Sequence, residues 1–300
     1  MTFGLSGLPA FEYHKPVSLH EALTLLDVDS AAKVYLGGTD LFTRMRRRTC
    51  NIETLIDLKA IRDFPQTCIV PSNELHINPQ TTFAHLLPWL LQIPGAHVLV
   101  SAIKQLGTSS LRNRATLAGN LCNASPAADS VAALIALNSR VVLQSLKGKR
   151  EVKVADFVLA PGKTDCKSNE LVTELILPIQ PSESCGIYMK LSRNRAADLS
   201  ICAVAVQVSV DKTNRSGYEF QIVVNGANPK PIKIESAGSH LADHKPGEAV
   251  FEQAAQMASL AVHPVSDIRG SKAYRKAMVY ALTLQALTDC YTQLKGKSAL

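Results

Sequence analysis

Residues 112–129 read RNRATLAGNLCNASPAAD, and this stretch is the most informative part of the chain. Its residues are small or carry amide and hydroxyl groups, which would let the backbone approach a flat or charged ligand. The wider passage 108–128 is predicted to be a long irregular loop, a kind of segment that is usually functional or disordered. Three leucines within it, Leu111, Leu117 and Leu121, argue against disorder. The structural alternative is that Asp129 is only a helix N-cap and Asn120 only a turn former.

A second informative segment, Leu36-Gly37-Gly38-Thr39-Asp40-Leu41, follows a predicted strand at Lys33–Leu36. Two glycines leave no Cβ in the way, so backbone N–H groups can close around a phosphate oxygen. Thr39 adds a hydroxyl donor, and Asp40 can accept from a ribose or cap the next turn. The alternative is an ordinary turn at the end of a strand. Neither the GxGxxG nor the Walker fingerprint occurs in the chain.

The remaining pattern predicts an α+β protein of two domains. Ser18 and Glu21 have the spacing of a capping box, and a helix with apolar residues at Leu19, Ala22, Leu23 and Leu26 follows. A turn-rich segment at 180–184 marks the domain boundary. Beyond it, alternating residues predict a half-buried strand at Val204–Val210, a hairpin with Phe220–Val224, and two closing helices. Other predicted elements are a strand at Thr54–Leu58, a strand at Leu75–Ile77, a helix capped by Thr81, a helix at His97–Leu106, a helix at Ser130–Asn138, and strands at Arg140–Gln144 and Leu171–Leu177.

Composition limits the class of protein. The chain has 300 residues with a net charge of +7, of which 46% are apolar and 5% aromatic. The apolar share excludes wholesale disorder, and the scarcity of aromatic residues disfavours a single-strand nucleic-acid binder. The seven cysteines are scattered along the chain and no two of them form a CxxC pair. Neither a zinc site nor an iron–sulfur ligand set is therefore expected. The N-terminal sequence lacks a secretory signal and no spanning helix is expected, so we expect a cytoplasmic protein without a membrane partner.

The two loops together resemble those of the FAD-binding medium subunit of the molybdenum hydroxylases, the xanthine dehydrogenase and carbon monoxide dehydrogenase family. GGTDL after a strand is followed some seventy residues later by RNRATLAGNLCNASPAAD. The resemblance covers essentially the whole chain in order. Further matching segments are Phe11–Leu23, Pro161-Gly162-Lys163-Thr164 with Glu170-Leu171, Tyr188–Ser200, Asn225–Pro231 and Ser266–Arg275.

This resemblance implies a PCMH/vanillyl-alcohol-oxidase-like FAD-binding domain of two α+β lobes, followed by a small domain of antiparallel sheet plus helices. The implied domains are 1–180, with lobes at about 1–60 and 61–180, and 185–296. The resemblance also implies that two loops bind the FAD diphosphate, while later residues border the adenosine, ribitol and isoalloxazine parts. The implied contacts are Lys33, Val34, Tyr35, Leu36, Gly37, Gly38, Thr39, Asp40, Ala115, Thr116, Leu117, Ala118, Gly119, Asn120, Asp129, Leu171, Met189, Lys190 and Leu199.

Two residues depart from the family pattern. Ala118 replaces the first glycine of the usual GGN, which is tolerable if its φ is negative. Met189 stands where many relatives have an aromatic residue, so flavin stacking is expected to be looser.

Among the remaining features, Arg44–Arg48 is expected to be a solvated face, with steering of a nucleotide or partner subunit as the alternative. Cys122 is expected to be a buried inert thiol.

The resemblance implies a subunit that passes electrons from a [2Fe–2S] small subunit through FAD to NAD⁺ or another acceptor. The substrate, which supplies these electrons, is oxidised on a separate molybdopterin-containing large subunit. The Pro161–Thr164 segment favours a purine-oxidising complex of the xanthine dehydrogenase type. No catalytic residue and no metal ligand are assigned, since neither a nucleophile–base pair nor a carboxylate dyad occurs. The alternatives are a stand-alone FAD-dependent oxidase and a non-catalytic assembly subunit that has lost FAD.

Overall fold

The computed structural model describes residues 7–194 and 198–298. Residues 1–6, which are part of the segment judged to lack a secretory signal, lie outside this range. No helix within the described residues is long and apolar enough to span a membrane.

The first lobe is built on a three-stranded parallel sheet in the order β1-β3-β2. Its helix α1 carries Leu19, Ala22, Leu23 and Leu26 on the buried face, as the sequence predicts. Ser18 caps α1 by accepting from the Glu21 N–H at 3.2 Å, whereas the Glu21 carboxylate accepts from the Val17 N–H. The elements are β1 (Glu12–His14), α1 (Leu19–Val28), β2 (Lys33–Tyr35), α2 (Leu41–Arg46) and β3 (Thr54–Asp57), with a 3₁₀ turn at Leu58–Ala60.

The second lobe contains a five-stranded antiparallel sheet in the order β4-β5-β10-β6-β7. Helices α3, α4 and α7 contribute much of the large core that it shares with the first lobe. The elements are β4 (Cys68–Val70), β5 (Glu74–Ile77), α3 (Phe83–Leu91), α4 (His97–Lys104), α5 (Ser109–Arg112), α6 (Leu117–Cys122), α7 (Asp129–Ala136), β6 (Arg140–Ser145), β7 (Gly148–Lys153), α8 (Val154–Phe157), the hairpin β8 (Val158–Ala160) and β9 (Lys163–Thr164), and β10 (Leu171–Pro178).

Two predictions for the second lobe are wrong, and threonine caps explain both. The passage 108–128 is not irregular throughout, because it contains α5 and α6. Thr108 accepts from the Leu111 N–H at 3.2 Å and Thr116 accepts from the Gly119 N–H at 3.0 Å, so each threonine starts a short helix. The cap of α3 is Thr82, which accepts from the His85 N–H, and not Thr81.

The C-terminal part is a four-stranded antiparallel sheet in the order β11-β12-β13-β14, with three helices. The predicted hairpin is confirmed, but the described residues 198–298 contain three helices after it where the sequence predicts two. The additional helix is α9. The elements are β11 (Ser184–Leu191), β12 (Cys202–Val210), β13 (Tyr218–Asn225), β14 (Ile232–Lys233), α9 (Glu235–Asp243), α10 (Glu248–Ala261) and α11 (Lys272–Ser298).

Strand β12 is buried on both faces, so the prediction of a half-buried strand is wrong. Val204, Val206 and Val208 face the core formed with α9–α11. The small residues Ala203 and Ala205 face the opposite way and belong to the large core of the first and second lobes. The face of β12 that carries the small residues is therefore a second packing surface and not a surface exposed to solvent. The α+β fold class, with a small antiparallel sheet domain after a larger mixed domain, is confirmed.

Candidate functional site

The two loops singled out by the sequence meet at one cavity between the lobes. The loop after β2 forms one wall, and the segment that starts α6 forms the other. Gly162, Leu171 and Val172 complete the wall. Predicted site residues that line the cavity are Val34, Tyr35, Leu36, Gly37, Gly38, Thr39, Asp40, Ala115, Thr116, Ala118, Gly119, Asn120 and Leu171.

Gly37 and Gly38 are required for different reasons. A Cβ on Gly37 would overlap the backbone carbonyl oxygen of Arg114 and lie 3.0 Å from the Ala115 Cα. Gly38 has φ +69°, a conformation that side chains disfavour, and its Cβ would meet the Phe42 ring. Gly37 therefore permits the contact between the two loops, and Gly38 permits the turn itself.

The first loop, which lines the cavity, has a run of unpaired backbone donors. Within the described chain, the N–H groups of Gly37, Gly38, Thr39 and Asp40 donate to no other atom. Unpaired backbone donors need a partner from water or a ligand. Four consecutive donors at a cavity suit an anion with several oxygen atoms, such as a diphosphate.

The second loop tolerates its departure from the family pattern. Ala118 is the second residue of α6 and is absent from the residues with positive φ among those described. The condition for a harmless alanine is therefore met at this position. Asn120, which also lines the cavity, accepts a hydrogen bond from the Ser130 hydroxyl at 2.7 Å through its Oδ1. This bond leaves the Asn120 amide with N–H donors for a ligand.

Tyr35 is held in the cavity wall by a buried carboxylate, Asp57. The Asp57 Oδ2 accepts from the Tyr35 hydroxyl at 2.8 Å and from the Tyr13 hydroxyl at 2.7 Å. The Lys59 ammonium donates to Oδ1 at 2.7 Å and lies 3.8 Å from the Tyr35 ring centroid. Burial alone would raise the pKa of Asp57, but the hydrogen bonds from Lys59, Tyr13 and Tyr35 outweigh it and lower the pKa to about 2.

The low pKa of Asp57 predicts a pH-dependent contribution to stability. A carboxyl whose pKa is lowered by folding stabilises the protein above its unfolded pKa, near 4, and loses this contribution as the pH falls through about 2. We expect the difference in unfolding free energy between wild type and Asp57→Asn to shrink by about 2 kcal/mol from pH 5 to pH 2. Urea unfolding of the purified chain, without added ligand, at several pH values measures this difference. A pH-independent difference would contradict the prediction.

Asp129 lies outside the cavity, in a buried ion pair. Its Oδ2 accepts from the Lys190 ammonium at 2.7 Å and its Oδ1 from the Tyr188 hydroxyl at 2.6 Å. The side chains of Asp129 and Lys190 are 6% and 5% exposed. Burial raises the pKa of Asp129, although Lys190 and Tyr188 act in the opposite direction. This pair joins the start of α7 to β11, and so ties the lobes to the C-terminal sheet.

Several other predicted site residues lie away from the cavity. Leu117 is buried in the core, Lys33 is exposed at the start of β2, and Met189 packs against the second core. Leu199 lines a separate cavity beside Ser125–Ala127 and Pro161. The structure therefore does not bring Lys33, Leu117, Asp129, Met189, Lys190 or Leu199 into the cavity between the loops.

The cavity also contains residues that the sequence did not assign to it. Cys122 is exposed at its wall, so the prediction of a buried thiol is wrong. Asn123 and Gly162 stand within motifs that were recognised, which could have indicated them. The apolar residues carry no sequence signal of their own, and Arg44 was interpreted with its neighbours as a solvated face. The unassigned residues are Leu41, Arg44, Leu58, Leu106, Leu111, Cys122, Asn123, Gly162 and Val172.

Comparison with known proteins gives matches over nearly the whole chain. Residues 9–180 match the family described as the FAD binding domain in molybdopterin dehydrogenase. Residues 187–290 match the CO dehydrogenase flavoprotein C-terminal domain.

Individual relatives agree with these matches. The chain is 28% identical to the glyceraldehyde dehydrogenase medium chain of Sulfolobus acidocaldarius, covering 94% of this chain and 98% of the relative. It is 25% identical to the xanthine dehydrogenase FAD-binding subunit of Escherichia coli O157:H7, covering 95% and 97%. Among solved structures, a chain of the carbon monoxide dehydrogenase of Hydrogenophaga pseudoflava superposes with a TM-score of 0.89 at 27% identity, covering 96% and 99%.

Proposed function

The chain belongs to the FAD-binding subunits of the molybdenum hydroxylase family, and we propose that it carries electrons from a [2Fe–2S] partner subunit through FAD to NAD⁺ or another acceptor. FAD is its cofactor. When bound, the flavin supplies the redox chemistry of this transfer. The chain's own residues bind and orient it.

The cavity between the two loops carries this proposal. Its four free N–H groups on residues 37–40 suit the two phosphates of FAD, and the Asn120 amide adds a donor from the opposite wall. Tyr35, fixed by Asp57, and Leu171 supply wall area for the flat or apolar parts. Leu199, in the neighbouring cavity, would border the isoalloxazine. We propose that Asp129 and Lys190 position β11 beside the cofactor.

We propose that the chain works in a heterotrimer with a molybdopterin-containing large subunit and a [2Fe–2S] small subunit. Relatives named as medium chains or subunits support an assembly of this kind. The described residues hold no group of three or more His, Cys, Asp or Glu side chains suited to a metal ion.

Within the family, we propose a purine-oxidising, xanthine dehydrogenase-like complex that acts in the cytoplasm. The Pro161–Thr164 segment favours purines, and a relative named as a xanthine dehydrogenase subunit supports it. Other relatives are named for glyceraldehyde, nicotine and carbon monoxide. We also propose the domain division 1–180 and 185–296.

The proposal predicts that the purified chain binds FAD. We expect absorbance bands at roughly 370 and 450 nm in the isolated protein, or after incubation with FAD and gel filtration. The same sample should show one flavin per chain after acid release. A chain that acquires no flavin bands after FAD addition would contradict the proposal. Co-purification with a molybdopterin subunit and a [2Fe–2S] subunit distinguishes it from a stand-alone oxidase.

A further inference from the structure

The cavity between the two loops has one positively charged side chain among the described residues that line it. Among the described residues that line it, Arg44 is the only basic side chain and Asp40 the only carboxylate. The diphosphate of FAD carries two negative charges. Backbone N–H groups supply only partial charges, so a full positive charge beside them would strengthen the binding of the anion.

Arg44 is placed beside the free donors of the first loop. It lies one helical turn after Asp40, whose carbonyl oxygen accepts the Arg44 N–H at 3.0 Å. Residues four apart share a face of a helix, so Arg44 is directed to the side of α2 that carries the loop. The cavity between the loops therefore contains both the donors of residues 37–40 and the Arg44 side chain.

The Arg44 guanidinium has no hydrogen-bond or ion-pair partner among the described residues. Within residues 7–194 and 198–298 it donates no hydrogen bond and forms no ion pair. Other arginines of the chain are engaged: Arg150 pairs with Asp165 and Glu170, and Arg275 pairs with Asp267. An unpaired guanidinium at a ligand cavity keeps all of its donors for the ligand.

The rest of the arginine run does not share this position. Arg46, Arg47 and Arg48 are exposed, as Arg44 is, but they do not line the cavity. Arg48 has φ 57° and donates to the Gly7 carbonyl oxygen, so it belongs to the local turn. The run is thus a solvated face in part, from which Arg44 alone among the described residues reaches the cofactor cavity.

We propose that Arg44 binds the diphosphate of FAD as its cationic contact. The inference rests on the proposed function, because it names a residue of the same site. A guanidinium can donate two parallel hydrogen bonds to phosphate oxygens, which positions the phosphates as well as neutralising them. Asp40, on the same face, remains available to accept from a ribose hydroxyl.

The test compares FAD binding by the full-length chain, stripped of flavin, with that of three variants. For Arg44→Gln we expect FAD affinity to fall about 10- to 100-fold, the usual effect of losing a charge-assisted hydrogen bond. Arg44→Lys should recover part of this loss, because it restores the charge without the bidentate geometry. The matched control is Arg47→Gln, which removes an equal charge from the same run and should bind FAD like the wild type.

Salt separates a charge effect from a structural one. Wild-type FAD affinity should weaken as NaCl rises, and the dependence should be smaller for Arg44→Gln than for Arg47→Gln. The melting temperature of the FAD-free Arg44→Gln chain should equal that of the wild type. Equal FAD affinity in wild type and Arg44→Gln, or a loss shared with Arg47→Gln, would overturn the inference while leaving the proposed function intact. A wild-type chain that binds no FAD would instead overturn the proposed function.

Discussion

Replacing Gly37 by alanine is expected to abolish FAD binding at micromolar cofactor concentrations. The added methyl would overlap the carbonyl oxygen of Arg114. That carbonyl cannot move easily, because Arg114 and Ala115 both donate to the Leu111 carbonyl oxygen, at 3.0 and 2.8 Å, and Ala115 accepts from the Phe83 N–H. The first loop must therefore retreat from the second, which separates the donors of the two walls. We expect a loss of affinity of more than about 100-fold, since several hydrogen bonds to charged oxygens are misplaced together.

The measurement is flavin absorbance and a fluorescence titration of the FAD-free chain. The control is Gly247→Ala, which also adds one methyl but meets nothing within 4 Å in an extended backbone. It should keep full FAD occupancy. Far-UV circular dichroism should show that Gly37→Ala retains its fold, because overpacking at one contact costs about 1–3 kcal/mol. A folded Gly37→Ala chain with wild-type FAD affinity would show that the contact between the loops does not govern the site.

The sequence could predict this contact only in part. The pair Gly37-Gly38 indicates a backbone that lies close to something, but which atom it meets depends on how the two lobes pack. The same limit applies to Tyr35, whose partner Asp57 is twenty-two residues away and gives no local signal. Motifs of special residues such as 36–41 and 115–120 are recognisable because tight turns, close backbone contacts and helix caps require particular residue types. A wall residue such as Leu106 is required only for its size.

The fold shows a corresponding limit. Periodicity predicts α1 and the β12–β13 hairpin correctly, since their apolar stripes are continuous along the chain. It fails for the second face of β12. Ala203 and Ala205 resemble small solvent-facing residues in the sequence, but in the structure they pack in the core of the first and second lobes. The sequence also gives no reason to distinguish Arg44 from the other arginines of the run 44–48. Only the position of α2 in space separates Arg44 from the other arginines.

The second large effect is expected at the buried ion pair. Lys190→Met removes the cation that pairs with Asp129 and leaves a carboxylate buried without its cation. Breaking a buried pair from one side typically destabilises a protein by about 3–5 kcal/mol, and we expect this for the urea unfolding free energy at pH 7. The pair connects α7 to β11, so the loss should also loosen the contact between the lobes and the C-terminal sheet. The matched control is Arg193→Met, which breaks the more exposed pair with Asp198 and should cost less than about 1 kcal/mol.

The pH dependence and a double variant identify the buried charge as the cause. Burial raises the pKa of Asp129, and removing Lys190 eliminates an opposing influence, so this pKa should rise further in Lys190→Met. A carboxyl with a raised folded pKa loses its stabilising contribution as the pH rises through that pKa, so the deficit of Lys190→Met should grow from pH 5 to pH 8. Asp129→Asn/Lys190→Met carries neither charge and should recover most of the lost stability at pH 8. A deficit that is equal at both pH values and persists in the double variant would assign the effect to lost packing of the Lys190 chain.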